Sequence, residues 1–362
     1  MKIALLNLSV DNNFGGNLQR FALIKVLQSL GHDVVFLNLR TRYKLDWYKY
    51  PYSYTKRLVK KYVLGEKIPI RYEAYKSLEM EKLCEKQKDF FDKYIPHSRP
   101  LYKIEDLKKE VEKGYDVLIV GSDQVWRKRM TRQIGLNNYF FDFLGNSPIK
   151  RIAYAVSFGV DYNQYTKSEI KYLGKLYRRF AAVSVRETAG LRLLREYDWS
   201  DPKAIVALDP TLLLSPKDYV SLILNSSVIS HTKEAIFCYV LDDKDCISEL
   251  KKRKSKELEL PMIECSLESD TSITQWLANI YYSRLVITDS YHGTIFSILF
   301  NKPFILVKNT HRGGSRFDSL AELLGIDFEK SQSLDYVAIN NKLKTLREKS
   351  ICFLKHALNA QS

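Results

Sequence analysis

The sequence has no apolar run long enough to cross a bilayer. Spanning needs about 18 to 20 residues, and the nearest stretch, 294–307, is broken by Asn301-Lys302-Pro303. No secretory leader is expected either: the apolar run Ile3-Ala4-Leu5-Leu6 is short and reaches Asn7 and Asp11 with no small-residue cleavage site. Its five cysteines, at 84, 238, 246, 265 and 352, form no CxxC pair. Reduced structural thiols are therefore expected, rather than a disulfide framework or a zinc cluster, and no metal is expected. Glycine (15) and proline (10) are too few for a collagen-like or low-complexity chain. A soluble, cytoplasmic protein is expected, with the inner face of the cell membrane open as its place of work.

Positive charge is what the chain has in excess, 57 Lys+Arg against 42 Asp+Glu, a balance of +15. That balance calls for an anionic partner, with nucleic acid, an anionic membrane face and a phosphorylated substrate all open. Apolar residues at 45 % and charged residues at 27 % make a globular composition, and 362 residues favour two domains.

Strand-like runs alternate with helical periodicity. Lys2–Leu8 reads as a buried strand, followed by a loop over 11–16 and a helix with Leu23, Val26, Leu27 and Leu30 on one face. Gly31 stands where a helix C-cap belongs, ahead of strand Val34–Leu37. Residues 41–100, rich in Tyr and Lys, read as a helical insertion. Strands then follow at Asp116–Val120, Ile152–Val156, Ala182–Val185 and Ile205–Ala207, with a helix at Ser168–Phe180. A second series has strands at Ala235–Val240, Met262–Glu264, Leu285–Thr288 and Phe304–Val307. Helices at 244–258, Ile273–Tyr282 and Gly293–Phe300 separate them, and a last helix spans about 334–358. Such alternation implies an α/β fold of two doubly wound, Rossmann-like domains facing a cleft. The expected division is 1–215, 216–333 and a C-terminal helix over 334–362. Ligands should then bind at the carboxyl ends of strands.

Several strand ends carry polar or glycine residues. Phe14-Gly15-Gly16-Asn17, with Gln19 a turn further on, lets the backbone approach a ligand at a helix start, or makes a tight turn. Gly121-Ser122-Asp123-Gln124-Val125-Trp126 offers a hydroxyl, a carboxylate and an amide for a sugar, with Trp126 as a stacking face. Alternatively, Ser122 and Asp123 cap the next helix. Arg186, after Ser184-Val185, stands at a strand end where a guanidinium can hold a carboxylate or phosphate, or simply pair with Glu187. Leu208-Asp209-Pro210-Thr211 reads best as a turn between domains. The densest set is Asp289-Ser290-Tyr291-His292-Gly293, which puts His292 beside a helix start among hydroxyls and a carboxylate. Thr310–Arg316 is a basic loop suited to phosphate.

Taken in order, FGGNLQ at 14–19, VGSDQVW at 120–126, YAVSFG at 154–159, SVRE at 184–187, DPT at 209–211 and TDSYHG at 288–293 closely resemble the polysaccharide pyruvyl transferase family over about residues 1–325. The resemblance implies a fold similar to GT-B glycosyltransferases. It also implies transfer of the pyruvyl group of phosphoenolpyruvate to a sugar of a cell-surface glycan or its lipid-linked precursor, forming a ketal and releasing phosphate. No cofactor is implied beyond that donor. Arg186 and His292 match the family positions that hold phosphoenolpyruvate, with Ser290 and Gly293 beside them. Ser290 stands where some members have arginine, so Arg312 or Arg316 is expected to supply the missing charge. His292 suits an acid or a phosphate ligand, and Asp289 or Asp123 a base. Gly15, Gly16, Asn17, Gln19, Ser122, Gln124 and Trp126 are left to the acceptor.

Two other readings compete. A nucleotide-sugar glycosyltransferase needs base and ribose contacts, for which only Glu264 stands out. A binder of nucleic acid or anionic membrane is prompted by Leu250-Lys251-Lys252-Arg253-Lys254-Ser255-Lys256. That run lacks interleaved aromatics and any base-reading motif, which makes nucleic acid the least favoured partner. A peripheral contact with anionic membrane fits the remaining charge.

Overall fold

The computed structural model describes residues 1–41, 43, 45, 47–85, 87–228, 234–242, 245–267, 269–307 and 314–360. Two all-parallel sheets form its frame. The first orders its strands β2-β1-β3-β4-β5-β6, from β1 (Lys2–Leu6), β2 (Asp33–Phe36), β3 (Val117–Asp123), β4 (Lys150–Val156), β5 (Ala182–Val185) and β6 (Ile205–Val206). The second runs β10-β9-β7-β8, from β7 (Ile236–Tyr239), β8 (Met262–Cys265), β9 (Leu285–Thr288) and β10 (Phe304–Leu306). Each sheet reverses its strand order once, between β1 and β3 and between β7 and β9. Ligands of doubly wound folds bind at such switch points. The expected α/β class, two doubly wound layers facing a cleft, is the one observed.

Period-two alternation divides the apolar residues between cores. Ile3 and Leu5 join one cluster and Ala4 and Leu6 another, on opposite faces of the first sheet. Phe237 and Val286 of the second sheet join the same cluster as Ile3 and Leu5, so one core runs through both halves. Its central contact is Phe14, at the start of α1 (Phe14–Ser29), stacked on Trp276 of α10 (Ile273–Tyr282) at 5.5 Å between ring centroids. The chain returns to the first half through α13 (Tyr336–Asn359). There Lys150 Nζ donates to the Leu358 and Ala360 carbonyls, and Ser350 Oγ accepts from Leu208 N.

Two boundaries differ from expectation, each for a local reason. β3 continues through Gly121-Ser122 to Asp123, and turns rather than a helix follow, so Ser122 and Asp123 cap nothing. Helix α11 (Tyr291–Leu299) starts before His292, because Ser290 is its N-cap and accepts from Gly293 N. The basic helix α9 (Asp245–Leu258) has part of its charge already paired, Lys251 with Glu264 of β8 and Lys254 with Glu257 of the same helix. Cys84, Cys238, Cys265 and Cys352 are free thiols, and the side chain of Cys246 lies outside the described set.

Phe14→Ala should lower the unfolding free energy by about 3–5 kcal/mol, the cost of an unfilled aromatic site in a core. Urea denaturation followed by circular dichroism measures it.

Candidate active site

Asp209 is the anchor of the cleft. It follows β6, is fully buried, and starts a short 3-10 turn at Pro210–Leu212. Its Oδ1 accepts from the Thr211 amide at 3.0 Å and hydroxyl at 2.7 Å. Its Oδ2 accepts from Gln19 Nε2 at 2.5 Å and Arg186 Nη1 at 3.1 Å, and lies 3.7 Å from His292 Nε2. Burial pushes this carboxyl up, but His292 and Arg186 outweigh burial and hold it well below the ordinary carboxylate range. Read from the sequence as a turn, Asp209 is the residue that sequence reasoning missed. The available signal was its place in one of the six ordered motifs.

Arg186 lies at the end of β5, buried, with a second carboxylate, Glu187, 3.6 Å from its Nε. Glu187 itself accepts from Ser157 Oγ at 2.5 Å. Burial depresses the guanidinium's pKa, and the two carboxylates more than restore it, so the charge stays. The pairing with Glu187 is thus real but internal, not a surface ion pair. Tyr291 lies beside Arg186, and Arg316 of α12 (Gly314–Leu324) is over the same ring, at 5.1 and 5.3 Å from the ring centroid respectively. Among the described residues, Arg186 Nη2, Arg316 Nε and His292 Nε2 are buried with no hydrogen-bond partner.

Between the halves lies a cavity of about 470 Å³. Asn13, Asp123, Gln124, Arg127 and Arg129 line it from the first half, and Asp289, Ser290, Tyr291, His292 and Arg316 from the second. Helix α1 approaches so closely that a Cβ at Gly15 would sit 2.0 Å from His292 Nδ1. Gly15 therefore seats the imidazole, whereas Gly16 donates to the N-cap Asn13 and has ordinary space around it. Asp123 holds φ 126°, a strained value for a residue with a side chain, at the cavity wall.

The remaining expected residues divide clearly. Both Asp289 oxygens accept backbone amides, from Leu241 at 2.8 Å and Asp242 at 3.1 Å, so this carboxylate ties the ends of β7 and β9 together. Gly293 is needed for packing, since a Cβ there would lie 2.4 Å from Thr288 Oγ1. Ser122 and Gln19 are buried and bonded to each other at 3.0 Å. Asn17 faces away from the cavity, bonded to Gln87 and Arg20. Trp126 corrects the sequence reading most sharply. It is fully buried, stacked on Phe140 at 4.6 Å and edged by Phe158, Tyr177 and Phe180, which leaves no face for a sugar. Arg312 lies outside the described residues. Arg127 and Arg129 were not anticipated, although the basic triplet Arg127-Lys128-Arg129 directly after the GSDQVW segment was visible.

Comparison with known proteins gives a family and a set of distant folds. The family described as polysaccharide pyruvyl transferase matches residues 13–311, most of the chain. No curated protein matches. Among solved structures, UDP-GlcNAc 2-epimerase from Neisseria meningitidis bound to UDP-GlcNAc is similar, with 9 % identity over 96 % of this chain and 99 % of that one, at a TM-score of 0.49. The Methanocaldococcus jannaschii UDP-GlcNAc 2-epimerase has 12 % identity, 100 % and 94 % coverage and a TM-score of 0.48. An alpha-glucosyltransferase in complex with UDP has 9 % identity, 99 % and 96 % coverage and a TM-score of 0.44.

Asp209→Asn should destabilise by about 3–5 kcal/mol at neutral pH, because it leaves the buried Arg186 with Glu187 alone to balance its charge. A depressed carboxylate stabilises fully above its unfolded pKa near 4 and loses that contribution as pH falls toward the folded value. The gap between wild type and variant should therefore narrow from pH 5 downward, as urea titrations across that range will read.

Proposed function

The chain belongs to the polysaccharide pyruvyl transferase family, and we propose that it moves the pyruvyl group of phosphoenolpyruvate onto two hydroxyls of one sugar. The acceptor in this reading is a cell-surface polysaccharide or its lipid-linked precursor. What carries it is the pair of buried nitrogens without hydrogen-bond partners that line the interdomain cavity, Arg316 Nε and His292 Nε2, with Arg186 Nη2 behind them beside Tyr291. A donor bearing a carboxylate and a phosphate matches such a set.

His292 and Arg316 line the cavity, while Arg186 is set behind it and bound to Asp209. Direct contact with the donor therefore falls to His292 and Arg316, and Arg186 acts by fixing Asp209. Arg316 supplies the cation that Ser290 does not. In the reaction a proton goes to the methylene carbon of phosphoenolpyruvate, and one sugar hydroxyl attacks the oxocarbenium-like carbon formed. The second hydroxyl closes the ring as the bond to the phosphate oxygen breaks. Of the two hydroxyl protons, one replaces the proton given to carbon and the other leaves with phosphate. Histidine is the side chain suited to give that first proton near neutral pH. Asp123 is the carboxylate left to receive one from the acceptor, since backbone amides hold both oxygens of Asp289 but only Oδ1 of Asp123.

Phosphorus NMR of the protein with phosphoenolpyruvate and a panel of hexosides should show inorganic phosphate appearing. His292→Gln and Arg316→Gln should each slow it by about 100-fold or more, the usual weight of a general acid or a preorganised cation. Turnover of nucleotide sugars instead, or wild-type rates in both variants, overturns the reading. Asp123→Gly should relieve the strained backbone, keeping or raising the melting temperature while activity falls by about 100-fold.

A further inference from the structure

The stretch from Trp47 to Leu64 carries five Lys or Arg and no Asp or Glu. Most of it forms helix α2 (Tyr50–Tyr62), and none of the helix is buried. Its amphipathic order is inverted relative to a surface helix, which turns its apolar stripe to the core. The half-buried side holds Arg57, bound to Glu73 of α3 (Tyr72–Glu85) at 2.7 and 2.5 Å, and Lys60, bound to Glu66 at 2.9 Å. The outer side presents Tyr52, Leu58, Val59 and Tyr62, continued by Val63 and Leu64 and preceded by Trp47, which is 83 % exposed. Lys56 and Lys61 extend along Tyr52 and Tyr62.

We infer that this face docks the protein on an anionic lipid bilayer. Aromatic and aliphatic side chains outward, with lysines alongside, are what a helix lying in the headgroup layer requires. The positive charge matches anionic headgroups, while the apolar side chains match the acyl boundary beneath them. Nucleic acid satisfies only the charge, and a second copy sets Lys56 and Lys61 against their own like charges. Helix α2 follows the carboxyl end of β2. Its partner α3 lines a cavity of about 440 Å³ with Val10 and Arg40. Docking deepens the reading of a lipid-linked acceptor but is measured without any substrate.

Co-sedimentation of the full chain with vesicles of equimolar phosphatidylglycerol and phosphatidylcholine should show binding that pure phosphatidylcholine does not. Trp126, Trp199 and Trp276 are buried, so a blue shift in tryptophan emission on vesicle addition reports Trp47. Lys56→Gln with Lys61→Gln should weaken binding roughly 25-fold, about fivefold per charge. Replacing Tyr52, Val59, Tyr62 and Val63 by Ser should abolish the blue shift with an unchanged melting temperature, since none of the four is buried. Absence of vesicle binding, or full binding by the serine variant, overturns the inference. So does preferential binding to duplex DNA, or a dimer that the serine variant alone disrupts. Vesicle binding without phosphate release would leave docking standing and the donor reading refuted.

Discussion

An ionised carboxylate deep inside a protein is tolerable only if cations and donors close around it. Asp209 imposes that condition on its own turn and on three distant parts of the chain. Gln19 comes from α1, Arg186 from the end of β5, Thr211 from the turn Asp209 itself opens, and His292 from the first turn of α11. Because α11 belongs to the second sheet and the others to the first, this one charge aligns the two halves at the cleft. The aromatic contact of Phe14 with Trp276 supplies apolar cohesion nearby, but the carboxylate fixes which polar atoms meet.

Much of the frame was legible because parallel strands buried on both faces leave short apolar runs. Leu285–Thr288 and Ala182–Val185 fall where those runs lie. The carboxyl ends of such strands located the cleft. What could not be read was the destination of individual side chains. Asp209-Pro210-Thr211 has the same turn chemistry whether its carboxylate meets water or an arginine 23 residues away. Trp126 looked like a sugar platform because it follows polar residues, yet Phe140 and Tyr177 claim it from elsewhere in the chain. Ser290 and Gly293 belong to the capping and packing of α11, and their polarity alone did not distinguish that from ligand contact.

The excess of +15 also acquires an address. Some of the basic residues of α9 are matched by neighbouring acids, and Arg186 by two carboxylates. Arg127, Arg129 and Arg316 face the cavity, and the acid-free stretch 47–64 carries a separate group outward. Charge toward the cavity and charge toward the outer surface thus come from different segments.

The fit of Gly15 to His292 bears on how such a protein can be recombined. Two doubly wound halves invite the notion of interchangeable modules, yet here a missing methyl group in one half is the socket for the imidazole of the other. Gln19 and Asp209 repeat the dependence within the first half. A chimera that grafts this second half onto another first half inherits a histidine whose seat depends on a single unsubstituted carbon. The halves are therefore heritable as a matched pair, and any shuffling of the architecture has to carry that glycine with the histidine.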